Sequence, residues 1–171
     1  VHKVADKVAL IIPLSCSACI FLPHISDETR LGLRVFTLGL LPLWGMKNLF
    51  KCIRYDGNIR PHCEFFDKNK TYYGACPSGH MSFITYGTTF FSLQYGFQAS
   101  IPFGLTSLVV FASGLNSNRH YVSQLIAGAG LGILYGIAAH KVVNDYVNIQ
   151  VDSEISVNSH GVIGLRISHS F

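Results

Sequence analysis

Pro77-Ser78-Gly79-His80 separates a long polar stretch, Lys51 to Cys76, from an apolar run that begins at Ser82. Proline and glycine let the backbone turn sharply, and the Ser78 hydroxyl with the Ser78 and Gly79 amides supplies donors at the start of a helix, where an anion is favoured. His80 adds a group that titrates near neutral pH. Taken alone, the four residues fit an ordinary helix start, with Ser78 as its cap and His80 on the surface, as well as they fit a phosphate site.

At 171 residues the chain fits one domain with a substantial core. Hydrophobic residues make up 49% and charged residues 13%, and mean hydropathy is +0.35, more apolar than an average soluble domain. A membrane protein or an unusually apolar helical bundle is expected. The net charge of +4 is dispersed, which argues against a nucleic-acid partner and for anionic lipid or phosphate. Five cysteines at irregular spacing do not resemble a zinc site. One disulfide among Cys52, Cys63 and Cys76 is compatible with an oxidising compartment. Because the first residue is valine, a processed or trimmed start is expected.

Apolar stretches alternate with short polar joints. Val8 to Ile25, Leu31 to Phe50, Ser82 to Phe97, Ile101 to Phe111 and Val122 to Ala139 read as helices, the last with Gly128, Gly130, Gly132 and Gly136 permitting close helix contact. Three approach the ~20 residues needed to span a bilayer. The expected fold is all-α, a compact bundle of about five to six helices over residues 1–145. Residues 146–171 are expected to form a C-terminal extension, since Val147 to Val151 and Val162 to Phe171 alternate in period two like a short strand pair.

Two further segments flank the tetrapeptide. Lys47 is followed seven residues later by Arg54, then Tyr55-Asp56-Gly57; downstream, Ser113-Gly114 precedes Arg119-His120, with Gln124 one helical turn beyond the histidine. Together these resemble the type 2 phosphatidic acid phosphatase superfamily, which includes bacterial acid phosphatases and vanadium haloperoxidases. Its pattern is K-x6-R-P, P-S-G-H and S-R-x5-H-x3-D. The middle motif is intact. In the others tyrosine replaces the proline, Gly114 replaces an arginine and Gln124 replaces an aspartate. Taking Arg60-Pro61 as the R-P pair instead leaves Ile53 where the lysine belongs, so the register through Lys47 and Arg54 fits better.

The resemblance implies a phosphatase that needs no metal and no cofactor. His120 is the expected nucleophile, His80 the general acid and base, and Gln124 the residue that orients His120 in place of the aspartate. Lys47, Arg54, Ser78 and Gly79 are the expected phosphate ligands, with Arg119 and Arg60 as further candidates; Arg119 fits a surface position as well, and Arg60 fits a solvated loop position better. The substrate class is a phosphomonoester or a lipid (pyro)phosphate. The expected setting is a bacterial inner membrane with the site facing the periplasm, or the periplasm itself. An impaired relative that only binds phosphate-bearing ligands, or has a structural role, is the alternative; vanadate-dependent peroxidase chemistry is a third. Gln124 keeps an acceptor but brings no charge, an expected loss of ~10² to 10⁴ in rate. Gln124→Asp is accordingly expected to raise turnover.

Overall fold

The computed structural model describes residues 2–61 and 67–158. They form five helices: α1 (His2–Ala18), α2 (Asp27–Cys52), α3 (Gly79–Tyr95), α4 (Phe97–Asn116) and α5 (Val122–Asn158). Single 3₁₀ turns follow α1 (Cys19–Phe21) and α2 (Asp56–Asn58). No strand occurs among the described residues, whose one bridge pairs Ile59 with Tyr73.

Local chemistry sets the helix ends. Ser26 caps α2 by accepting from the Thr29 amide at 3.2 Å, while Asp27 and Glu28 in the first turn and Lys51 in the last complement the helix dipole. Gly96, at φ 87°, makes the turn that separates α3 from α4.

α3 is the centre of the bundle and packs against each of the other four helices. Its Tyr86, Phe90 and Phe91 form an aromatic core with Phe36 of α2 and Phe103 of α4, and the buried Tyr86 hydroxyl donates to the Phe36 carbonyl at 2.8 Å. The α3–α5 contact depends on absent side chains. A Cβ on Gly132 would collide with Thr85 Oγ1, the Ser82 carbonyl and the Tyr86 amide. Backbone cannot retreat as a side-chain tip can, so Gly132→Val is expected to cost about 3 kcal/mol or more, read as a fall in the thermal unfolding midpoint.

The expected C-terminal strand pair needs correction in its first half. Residues 147–151 belong to α5, which crosses position 145 unbroken. Val147 lies four residues beyond the fully buried Val143 and packs on the same core. Extending an existing helix also gains one hydrogen bond per residue fixed, whereas an isolated two-stranded ribbon is marginal. The second expected strand, residues 162–171, lies outside the described residues.

Two segments, Phe97–Asn116 and Val122–Ile149, are long and apolar enough to cross a membrane by length and composition. Cys16, Cys19, Cys52 and Cys76 are free thiols; Cys63 lies outside the described residues.

Candidate active site

Three segments hold the candidate site residues, and α5 brings two of them together. A Cβ on Gly128 would stand 2.6 Å from the Ser78 carbonyl, so only glycine lets α5 press against the segment that starts α3. The Ser78 amide donates to the Gln124 carbonyl at 3.1 Å and fixes that contact. Ser78 is 1% exposed and makes no side-chain cap; its Oγ lies 3.4 Å from His120 Nε2. Ser78 therefore does not cap α3 with its side chain but faces His120.

Between α4 and α5 the chain reverses through Asn118, at φ 51° in the left-handed region that asparagine tolerates. The amides of Arg119 and His120 both donate to the Gly114 carbonyl, at 3.1 and 3.3 Å. The reversal turns Arg119 and His120 inward. Both line two adjoining cavities together with His80. The larger, about 170 Å³, is walled by Lys47, Arg60, Pro77, Gly79 and, on its apolar side, Leu10, Trp44 and Phe83. The smaller, about 20 Å³, lies against Ser78, Ser113 and Gly114. Among the described residues the larger wall holds three cationic side chains and no carboxylate.

Gln124 is 1% exposed and bonded at both ends. Its Nε2 donates to the carbonyls of Gly57 at 3.2 Å and Ile59 at 2.7 Å. Its Oε1 accepts from the Tyr121 amide at 3.1 Å and lies 3.3 Å from His120 Nδ1. Since the amide group is committed to two carbonyls, the oxygen must face the imidazole, and Nδ1 of a neutral His120 must carry the proton. The lone pair then sits on Nε2, on the side of Ser78.

Burial and then the charge of Arg60 push the His120 pKa down from 6.5 to about 4, with Arg119 and His80 acting in the same direction and the Gln124 hydrogen bond opposing them. The unfolded chain takes up this proton near 6.5 and the folded chain only near 4. The stability contributed by keeping the ring neutral is thus fully present above about pH 6.5 and is lost as pH falls toward 4, on the order of 3 kcal/mol in all. Denaturant unfolding at pH 7.5 and 4.5 is expected to show this loss in the parent and not in His120→Asn. Lys47, half-buried, has its pKa lowered first by burial and then by Lys51 and Arg60.

The two candidate arginines of the 54–60 stretch differ in placement. Arg54 is exposed, its guanidinium 5.6 Å from the Tyr73 ring centroid, and it lines neither cavity. Arg60, which residue counting had set second, lines the larger one; its amide donates to the Tyr72 carbonyl at 2.8 Å and its Nη2 to the Gly74 carbonyl at 3.4 Å. Counting along the chain fails because α2 stops at Cys52 and the 3₁₀ turn redirects the backbone before Arg60. At Gly114 a Cβ would stand 3.1 Å from Leu125 Cδ2 and 3.7 Å from His120 Cδ2, leaving an arginine only the small cavity to enter. Arg119 stands on the wall of both cavities instead.

Searches of curated proteins and of solved structures return no match to this chain. Comparison with protein-family profiles matches the PAP2 superfamily over residues 32–147, a span that holds Lys47, the Pro77–His80 tetrapeptide, His120 and Gln124. The chain belongs to the PAP2 superfamily, the type 2 phosphatidic acid phosphatases and their relatives.

Proposed function

We propose that the protein is a metal-independent phosphatase working through a phosphohistidine. The observation that carries this reading is the placement of His120, its Nδ1 beside Gln124 Oε1, its Nε2 directed toward Ser78 and its ring on the same cavity walls as His80 and the cations. His120 Nε2 attacks phosphorus as the bond to the leaving oxygen breaks, and protonated His80 gives that oxygen its proton. Neutral His80 then takes a proton from water, whose oxygen displaces His120 and releases inorganic phosphate. Lys47, Arg60, Arg119, the Ser78 hydroxyl and the Gly79 amide hold the equatorial oxygens through the transition state.

Leu10, Trp44 and Phe83 beside the cations suit an amphiphilic phosphomonoester or lipid (pyro)phosphate. A membrane setting, with the site on the periplasmic side of a bacterial inner membrane, fits the two apolar helices. The second reading, a phosphate binder with little turnover, is favoured by Gly114 and Gln124 standing where the family pattern has a cation and an anion.

The test is hydrolysis of a generic phosphate ester and of a short-chain phosphatidic acid by the purified protein in EDTA, with and without vanadate. Turnover that vanadate inhibits supports the phosphatase; vanadate binding without turnover supports the second reading. In the same assay Arg60→Ala is expected to lower kcat/KM by on the order of 10² to 10³, and Arg54→Ala by less than about tenfold.

A further inference from the structure

Asn58 belongs to none of the recognised motifs and lines neither cavity, yet it is 0% exposed. A buried carboxamide is costly unless its donors and acceptor are all used. Here they are. The two Nδ2 hydrogens are shared among the carbonyls of Phe50 and Lys51, each at 3.3 Å, and of Ile53. These carbonyls lie where α2 ends, and that of Phe50 also accepts from the Ile53 amide. The Oδ1 accepts from the Cys76 amide at 2.8 Å, and the Asn58 carbonyl accepts from the Ala75 amide at 3.3 Å. The carbonyls on either side, of Gly57 and Ile59, are the two that Gln124 Nε2 holds. The next residue is Arg60.

One tripeptide therefore touches three segments of the site: the end of α2, which carries Lys47, the approach to Pro77 and Ser78, and, through Gln124, the start of α5 beside His120. From this geometry we infer that Asn58 is a positioning residue, whose carboxamide sets the end of α2 against the Ser78 segment and presents the carbonyls that hold Gln124 and, through it, His120. It also delivers Arg60 to the cavity wall. The inference rests on the phosphatase reading for its kinetic readout but not for its geometric one. Small errors in such placement are expensive, because attack on phosphorus needs reacting atoms at near-attack separation.

The experiment compares the parent with Asn58→Asp and Asn58→Ser. Aspartate preserves the size and the acceptor for Cys76 but turns an oxygen toward three carbonyls; serine reaches neither partner. Three quantities are measured on folded protein: the Kd for orthovanadate, kcat and KM for a soluble phosphate ester, and the His120 ring resonances in histidine-labelled samples. Expected are a vanadate Kd weakened about tenfold, kcat lowered more than KM is raised, and shifted His120 resonances. A variant that is less stable but keeps the parent's Kd, kcat and resonances overturns the inference, since a purely structural asparagine would behave that way.

A parent that binds vanadate without turnover defeats the phosphatase reading and leaves the Kd comparison decisive. A parent that does not bind vanadate defeats the phosphate site, and the His120 resonances then decide. If neither variant folds, hydrogen exchange on the parent replaces them: vanadate must slow exchange at the Cys76 and Ser78 amides together, and unchanged exchange at Cys76 overturns the inference.

Discussion

His120→Ala is expected to abolish turnover, a loss on the order of 10⁴-fold or more, while leaving the fold and most of the vanadate affinity in place. The chemical part follows from removing the only atom proposed to bond phosphorus, which eliminates the covalent path rather than weakening it. The structural part follows from what the ring touches. Gln124 Oε1 keeps the Tyr121 amide as a donor and Ser78 stays held through its own amide; the one group that loses its partner is the Ser78 hydroxyl, which borders the space the ring vacates. Lys47, Arg60 and Arg119 remain on the cavity wall to hold an anion. Unchanged turnover in this variant would remove His120 from the chemistry altogether.

Gln124→Asp is expected to lower turnover by about 10- to 100-fold and to destabilise the protein, opposite to the gain that the family pattern alone predicts. Two effects compete. A carboxylate at 124 would support the charge that develops on His120, which in a well-placed pair can be worth up to ~10⁴. Aspartate is one methylene shorter, however, and has no donor for the carbonyls of Gly57 and Ile59 that glutamine binds at 3.2 and 2.7 Å. It would turn a negative oxygen toward them in a position only 1% exposed. Releasing that segment also frees Arg60, a charge expected to matter by 10² to 10³ in its own right. Loss of placement outweighs gain of charge. Steady-state kinetics and unfolding midpoints for the single variant decide it, and faster turnover would show that Gln124 is a degraded aspartate and nothing more.

The helical architecture was legible because the apolar runs are long and punctuated by polar joints, and the glycines of α5 were readable as contact points; Gly128 meets the Ser78 backbone just before α3 and Gly132 the α3 backbone itself, while a Cβ on Gly130 would meet nothing within 4 Å. The Pro77–His80 tetrapeptide and the His120 segment were legible because each needs a fixed local order of residues. Arg60 was legible only as a further candidate and Asn58 not at all, for a physical reason. Their roles depend on where the backbone goes after Cys52, and a 3₁₀ turn followed by a single bridge to Tyr73 carries no periodic signal. The one available clue was Asp56-Gly57-Asn58 itself, a turn-forming triplet within reach of a helix end whose carbonyls need donors. Gln124 was legible as a residue facing His120, but its second attachment joins positions 65 and 67 residues apart, which no local pattern encodes. Residues 147–151 misled because alternation over five residues is short enough to be met by a helix whose every fourth residue is apolar.

The central claim is that phosphorus becomes bonded to His120, and trapping that bond tests it most directly. Protein mixed with a phosphate ester, quenched in alkali where a phosphohistidine survives, and digested for mass spectrometry is expected to carry one added phosphoryl group on the peptide containing His120, absent after vanadate pretreatment and absent in His120→Ala. Steady turnover with His120 unmodified at every quench time, or a phosphoryl group carried by another residue, would contradict the account.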